Sequence, residues 1–279
     1  MIADILVGLE GSPASERAVD VALEIARRLR ASLFGLALVD EPDIRAAEAT
    51  GIAGSAYKRQ RDAALLADAE ARAGEWIAAF ELRCKQERVP AQTLARRGRP
   101  AATILSELHH HDLMVLGAGV NFRFETDERD QKTRDEILRR AGTPILLVPD
   151  CALPMGGGDV LIAYDGSLAA KRALESYAGS GLGRARLVHV VCVDDDGAVA
   201  WEKARQAAGQ LHDLGLAATA HNVVSTLPTA DAILEQRAKL DAGLIVMGAY
   251  VRARVLRLLW GSVTDELLAK VTVPVFLHY

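Results

Sequence analysis

The chain has 279 residues, half of them hydrophobic and a quarter charged, with a formal net charge of −4. This is the composition of a globular protein with room for two ordinary domains, and its weakly acidic balance gives no footing for nucleic acid or an anionic membrane. No apolar run is long enough to span a bilayer. The three cysteines, Cys84, Cys151 and Cys192, are too few and too widely spaced for a disulfide framework or a zinc ribbon.

The opening "MIADILVGLEGS" runs straight into a strand-like pattern. It lacks the basic start and small-residue cleavage site of a secretory signal, so a cytoplasmic location is expected. Strand patterns follow at Asp4–Leu9, Leu33–Val39, Ala91–Ala95, Leu113–Gly117 and Pro144–Val148. Between the first two lies "SERAVDVALEIARRLR", apolar at helical spacing. An Ala-rich helix is expected from about Tyr57 to Glu87, another after Pro100, and a last one from Lys132 to Arg140. "HHHD" (109–112) falls at the turn from helix to strand. Adjacent histidines seldom share one ion, so a solvated loop is expected there, with one histidine capping the helix, rather than a zinc site. "DCALPMGGGD" (150–159) has the proline and glycines of a linker.

Beyond that linker the pattern repeats. "ADILVGLEGSPASERA" (3–18) is answered by "GDVLIAYDGSLAAKRA" (158–173), and "ASLFGLALVD" (31–40) by "ARLVHVVCVD" (185–194). "HDLMVLGAGV" (111–120) is answered by "AGLIVMGAYV" (242–251), and "RRAGTPILLVP" (139–149) by "AKVTVPVFLHY" (269–279). Four matched blocks in one order imply a duplicated fold: a first copy at 1–149, a linker at 150–158 and a second copy at 159–279. Strands alternating with helices predict an α/β protein, each copy a doubly wound, Rossmann-like parallel sheet of five strands.

In such sheets ligands bind beyond the carboxyl ends of the strands, where the strand order reverses. The second copy offers "AYDGS" (163–167) and "MGAYVRARVLRLLWGS" (247–262) there. Gly248 closes a strand, where a ligand could approach its backbone. Gly261 and Ser262 open a helix whose free N–H groups attract anions, and Arg252, Arg254 and Arg257 add positive potential. Asp165 would repel a phosphate but suits donors on a base or ribose. Each feature also has a purely structural reading: Ser167 as an N-cap, and Ser262 with Asp265 as a capping box. "VDDDG" (193–197) reads as a solvated acidic loop rather than a metal site.

The arrangement resembles the universal stress protein family over nearly the whole chain, as two tandem copies. The family has an Asp at the end of strand one. After strand four it has Gly, two residues, Gly, nine residues, then Gly-Ser or Gly-Thr. Here Asp165, Gly248, Gly261 and Ser262 match, while Val251 replaces the second glycine. The resemblance implies an adenine-nucleotide site for ATP, with Mg²⁺ as its companion ion. Ala163, Asp165 and Val190 would face the adenosine. Met247, Gly248 and Val251 would lie along the ribose and phosphates, and Gly261, Ser262, Val263 and Thr264 would hold the phosphates. The first copy departs further: Glu10 replaces the Asp, Val120 the second glycine, and no Gly-Ser follows. Its stretch 117–131 carries two arginines against four acids, so its site is expected to be empty.

No nucleophile–base pair or lysine-bearing P-loop stands out. The expectation is a stress-response regulator or sensor that takes its adenine nucleotide in the second copy and acts on a regulatory protein partner. The alternatives are a scaffold that binds no nucleotide and a very slow ATPase. Family members pair through their last strands, so 145–148 and 275–278 should join as an internal pseudo-dimer, with association of two whole chains left open.

Overall fold

Every strand-to-helix unit is built on local signals that the sequence carries openly. β1 (Asp4–Leu9) leads through Ser12, whose side chain accepts the Ser15 N–H at 3.1 Å, into α1 (Pro13–Leu29). Pro13 sits where its missing N–H costs nothing. Arg30 ends the helix in the left-handed conformation, φ 58°. The computed structural model describes residues 1–46, 54–119, 122, 132–151, 158–249 and 262–279.

The first half continues with β2 (Ser32–Val39), α2 (Glu41–Ile44), α3 (Gly54–Glu87), β3 (Ala91–Arg97), α4 (Pro100–Leu108), β4 (Leu113–Gly117), α5 (Lys132–Arg140) and β5 (Ile145–Val148). The second half has β6 (Asp159–Ala163), α6 (Leu168–Ser180), β7 (Val188–Val193), α7 (Gly197–Asp213), β8 (Ala218–Val223), α8 (Thr229–Lys239), β9 (Ala242–Gly248), α9 (Ser262–Lys270) and β10 (Val275–His278). Among the described residues no helix is long and apolar enough to cross a membrane.

Among the described residues, ten strands form one sheet in the order β3-β2-β1-β4-β5-β10-β9-β6-β7-β8. Each half is a parallel, doubly wound sheet, and the two halves meet antiparallel along β5 and β10. At that seam Leu146 faces Phe276, Leu147 faces Val275 and Ile145 faces Leu277. Leu146 thus meets its own counterpart in the repeat, and the residues on either side of it meet each other's counterparts. An approximate two-fold axis therefore passes through the Leu146–Phe276 pair, as in an isologous dimer. The pairing covers two hydrophobic edges that would otherwise invite other chains. Further ties cross the halves on one face. Arg28 donates to the carbonyls of Leu182 at 2.9 Å and Arg184 at 2.5 Å, and Ile2 N–H to Ser180 at 3.1 Å.

The sheet is buried on both sides. One core packs its strands against α1, α3, α6 and α7, the other against α4, α5, α8 and α9. Cys84 and Cys192 are buried, and burial pushes both thiols up, that of Cys84 to about 11; Cys151 is exposed, and all three are free.

One correspondence in the repeat needs correction. Aligning 31–40 with 185–194 sets Leu33 against Leu187. The ladders pair Ile5 with Leu33 and Val160 with Val188, so the counterpart of Leu33 is Val188. A slip of one residue exchanges the two faces of a strand. Apart from Ser32 and His189 both strands are apolar on both faces, so the hydrophobic pattern alone does not fix their register.

Candidate functional site

Both halves reverse strand order at their first strand, so two clefts open at the carboxyl ends, one above β1 and β4 and one above β6 and β9. The same elements frame both. Different side chains fill them.

In the first half, Glu10 follows β1. Its carboxylate accepts the Ser12 hydroxyl at 2.7 Å and the Phe122 N–H at 3.2 Å. Phe122, in the left-handed conformation at φ 55°, is buried with its ring over Gly8. Phe122 is thereby fastened across the strand ends. Gly11 needs its positive φ of 72°, and the indole of Trp76 on α3 lies directly against it. A cavity of about 280 Å³ remains, lined by Glu10, Asp40, Leu38, Trp76 and Phe122 among others. This is the small end of ligand pockets, and its two acids oppose a polyphosphate. At the start of α5, buried Arg134 donates to the Ala118 carbonyl at 3.3 Å and to Asp135 at 3.0 Å, and lies 3.8 Å from Asp265 of α9. Burial and the Asp135 charge push the Asp265 carboxyl up, against the pull of Arg134. A side chain of the protein itself thus sits at the start of the first half's last helix. Nothing in the sequence flags Arg134 for this place.

In the second half, Asp165 follows β6 and is exposed; it accepts the Ser167 N–H at 2.8 Å. Ser167 caps α6 by accepting the Ala170 N–H at 3.1 Å. Gly166 has φ 83°, and the neighbour that faces it is Lys203 of α7, 3.8 Å from an ideal Cβ. Lys203 therefore stands where the first half has Trp76. Its ammonium donates to Asp194 at 2.9 Å, a hydrogen bond that lowers the Asp194 pKa and raises that of Lys203. Asp196 caps α7, accepting from Ala198 and Val199. The "VDDDG" stretch is thus a cap and an ion pair. Sequence reading missed Lys203 as a member of this cleft, because only the packing of α7 brings it to the Asp165 turn.

The other proposed contacts separate. Ala163 is half-buried at the strand end, level with Met247, which is buried. Val263 is half-buried and Thr264 buried in the first turn of α9, which begins at Ser262. Val190 has no exposed surface and pairs with Ile162, one residue short of the end of β6, so it underlies the cleft instead of lining it. Gly248 has a packing role of its own. An ideal Cβ there would stand 2.5 Å from the Ala169 carbonyl carbon and 2.6 Å from Ala170 N. Its missing side chain admits the first turn of α6. Gly117 does the same for Ala14 and Ser15 in the first half. Val251, Gly261 and the three arginines lie outside the described residues.

"HHHD" lies at the opposite, amino end of the sheet. His109 and His110 are exposed. His111 packs its ring 4.6 Å from that of Phe34, and burial lowers its pKa. Asp112 accepts the N–H groups of Ala3 at 2.7 Å and Asp4 at 3.1 Å, fixing the start of β1.

Comparison with known proteins agrees with this architecture. Comparison with curated proteins gives no significant match. A universal stress protein from Archaeoglobus fulgidus DSM 4304 is similar at 18% identity, with a TM-score of 0.72 over 99% of this chain and 97% of that one. A functionally unknown protein from Pseudomonas aeruginosa PAO1 is similar at 18% identity, with a TM-score of 0.59 over 99% of this chain and 92% of that one. The model of the universal stress protein family matches residues 1–149 and again 158–277. The chain belongs to the universal stress protein family, as a tandem member with two copies of its fold.

Proposed function

We propose that the second half binds one adenine nucleotide and that the protein acts as a nucleotide-dependent stress regulator. The contrast between the two clefts carries this reading. The Glu10 carboxylate is tied to the chain's own Phe122 N–H beneath Trp76, whereas Asp165 is exposed, with the aliphatic stem of Lys203 against the next residue, Gly166. Asp165 can accept from the ribose or base. The start of α9 offers backbone N–H groups and the positive end of its dipole to phosphates. Gly261 and Ser262 would hold them there, with Mg²⁺ shared among their oxygens if ATP is the ligand. Val251 would crowd the phosphates, and Arg252, Arg254 and Arg257 offset this by charge.

Titrating the purified chain with ATP and with AMP by calorimetry tests the reading. One site per chain is expected, with Kd between about 1 μM and 1 mM. Asp165→Ala should weaken binding by about tenfold, the loss of a charge-assisted hydrogen bond. Glu10→Ala should leave it unchanged, and Val251→Gly should tighten it. A folded wild-type chain that takes up neither nucleotide in the millimolar range would overturn the proposal.

A further inference from the structure

A second cluster of chemically able groups lies at the other end of the same half, where β6, β7 and β8 begin. His189 of β7 is buried. Its Nδ1 stands 2.9 Å from Thr219 Oγ1 and 3.0 Å from His221 Nε2, both on β8. Thr219 Oγ1 and His221 Nε2 are in turn 3.1 Å apart. The three atoms form a nearly equilateral triangle. On the far side of the His189 ring, Nε2 lies 3.1 Å from the carboxylate of Asp159.

The Asp159 carboxylate accepts from His189 Nε2, which leaves Nδ1 as an acceptor that faces the triangle. Without an ion, the Thr219 hydroxyl donates to Nδ1 and the Nε2–H of His221 is shared between Nδ1 and Thr219 Oγ1. With the proton of His221 on its other ring nitrogen, two ring nitrogens and a hydroxyl oxygen turn lone pairs toward one point, and a cation beyond the triangle can take one from each atom.

The distances suit such an ion. Imidazole binds first-row metals at about 2.0–2.1 Å, which places neighbouring donors about 2.8–3.0 Å apart in octahedral and about 3.3–3.4 Å apart in tetrahedral geometry. Asp159 has the place of the outer carboxylate that orients a ligating histidine and raises its basicity. Thr219 is exposed and His221 half-buried on an edge strand, so water can complete the coordination. Two imidazoles and a hydroxyl suit Ni²⁺, Cu²⁺ or Zn²⁺ over Mg²⁺ or Ca²⁺. Among the described residues no three His, Cys, Asp or Glu side chains converge on one metal position. The third donor here is a hydroxyl, so the site is open and of modest affinity.

We propose that His189, His221 and Thr219 form a binding site for a divalent late first-row transition ion, with Asp159 as its positioning residue. The first half has no equivalent. The ladders place Phe34, Gln92 and Leu94 at the matching positions, and none of these is a metal-binding side chain of this kind.

The test is calorimetric titration of the untagged, metal-free full-length chain with NiCl₂ and separately with ZnCl₂. One ion per chain is expected, at a Kd of about 1–100 μM. His221→Ala should weaken binding at least tenfold. This residue is half-buried on an edge strand, and circular dichroism would verify that the variant is folded. Asp159→Asn leaves every direct ligand in place and should still weaken binding by about tenfold. A double variant, His109→Ala with His110→Ala, should bind as the wild type does. Bound Ni²⁺ should raise the Tm of the wild type and not that of His221→Ala. No uptake by the wild type below about 100 μM would overturn the proposal. So would affinity that survives His221→Ala, or affinity that vanishes with His109 and His110.

Discussion

Phe276→Ala is expected to destabilise the protein by about 3–5 kcal/mol, read as a lowered midpoint in urea denaturation. The ring is fully buried in β10, between Leu146 of β5 and Val246 of β9. It meets Tyr177 edge to face, with centroids 5.8 Å apart and planes at 78°. Truncation removes that contact and opens a cavity where the sheet cannot close in, because strands flank the site on both sides. The position also sits on the pseudo-two-fold axis, so the damage falls on the seam that joins the halves. Trp201→Ala, at an exposed residue of α7, is the control and should shift stability by less than about 0.5 kcal/mol. A loss below about 1 kcal/mol for Phe276→Ala would mean that the seam is not packed as described.

Gly248→Ala should be nearly as costly, about 3 kcal/mol or more, although it adds a single methyl group. That methyl would meet the backbone of Ala169 and Ala170 at 2.5 and 2.6 Å, and backbone in the first turn of a helix cannot turn aside as a flexible side chain can. α6 would have to lift from β9, displacing the Asp165 turn with it. Gly209→Ala gives the opposite sign. No atom lies within 4 Å of an added Cβ there, and mid-helix alanine in place of glycine should stabilise α7 by about 0.5–1 kcal/mol. Denaturation curves of the two variants decide the matter. A near-neutral Gly248→Ala would remove the packing explanation.

Much of the architecture is legible because its signals are local. Ser12 and Ser167 cap their helices where an acid-Gly-Ser turn ends a strand, and all five first-half strands form where the apolar runs place them. Legibility fails where two interpretations leave the same trace. Gly248 looks alike whether a ligand or a helix needs the space. Val190 stands in a strand that is apolar apart from His189, and the ladder puts it beneath the cleft with no exposed surface.

The sequence alone determined the duplication, the order of strands and helices, and the family, because hydrophobic period, turn chemistry and repeated blocks are written within a few residues of one another. Tertiary structure decided which groups meet in each cleft. Glu10 binds Phe122 across 112 residues, and Lys203 replaces Trp76 over the matching glycine through the packing of a different helix. His189 reaches Asp159 and His221 across 30 and 32 residues. Such meetings depend on strand register and helix placement. Those are set by the whole buried interface, and no single segment encodes them.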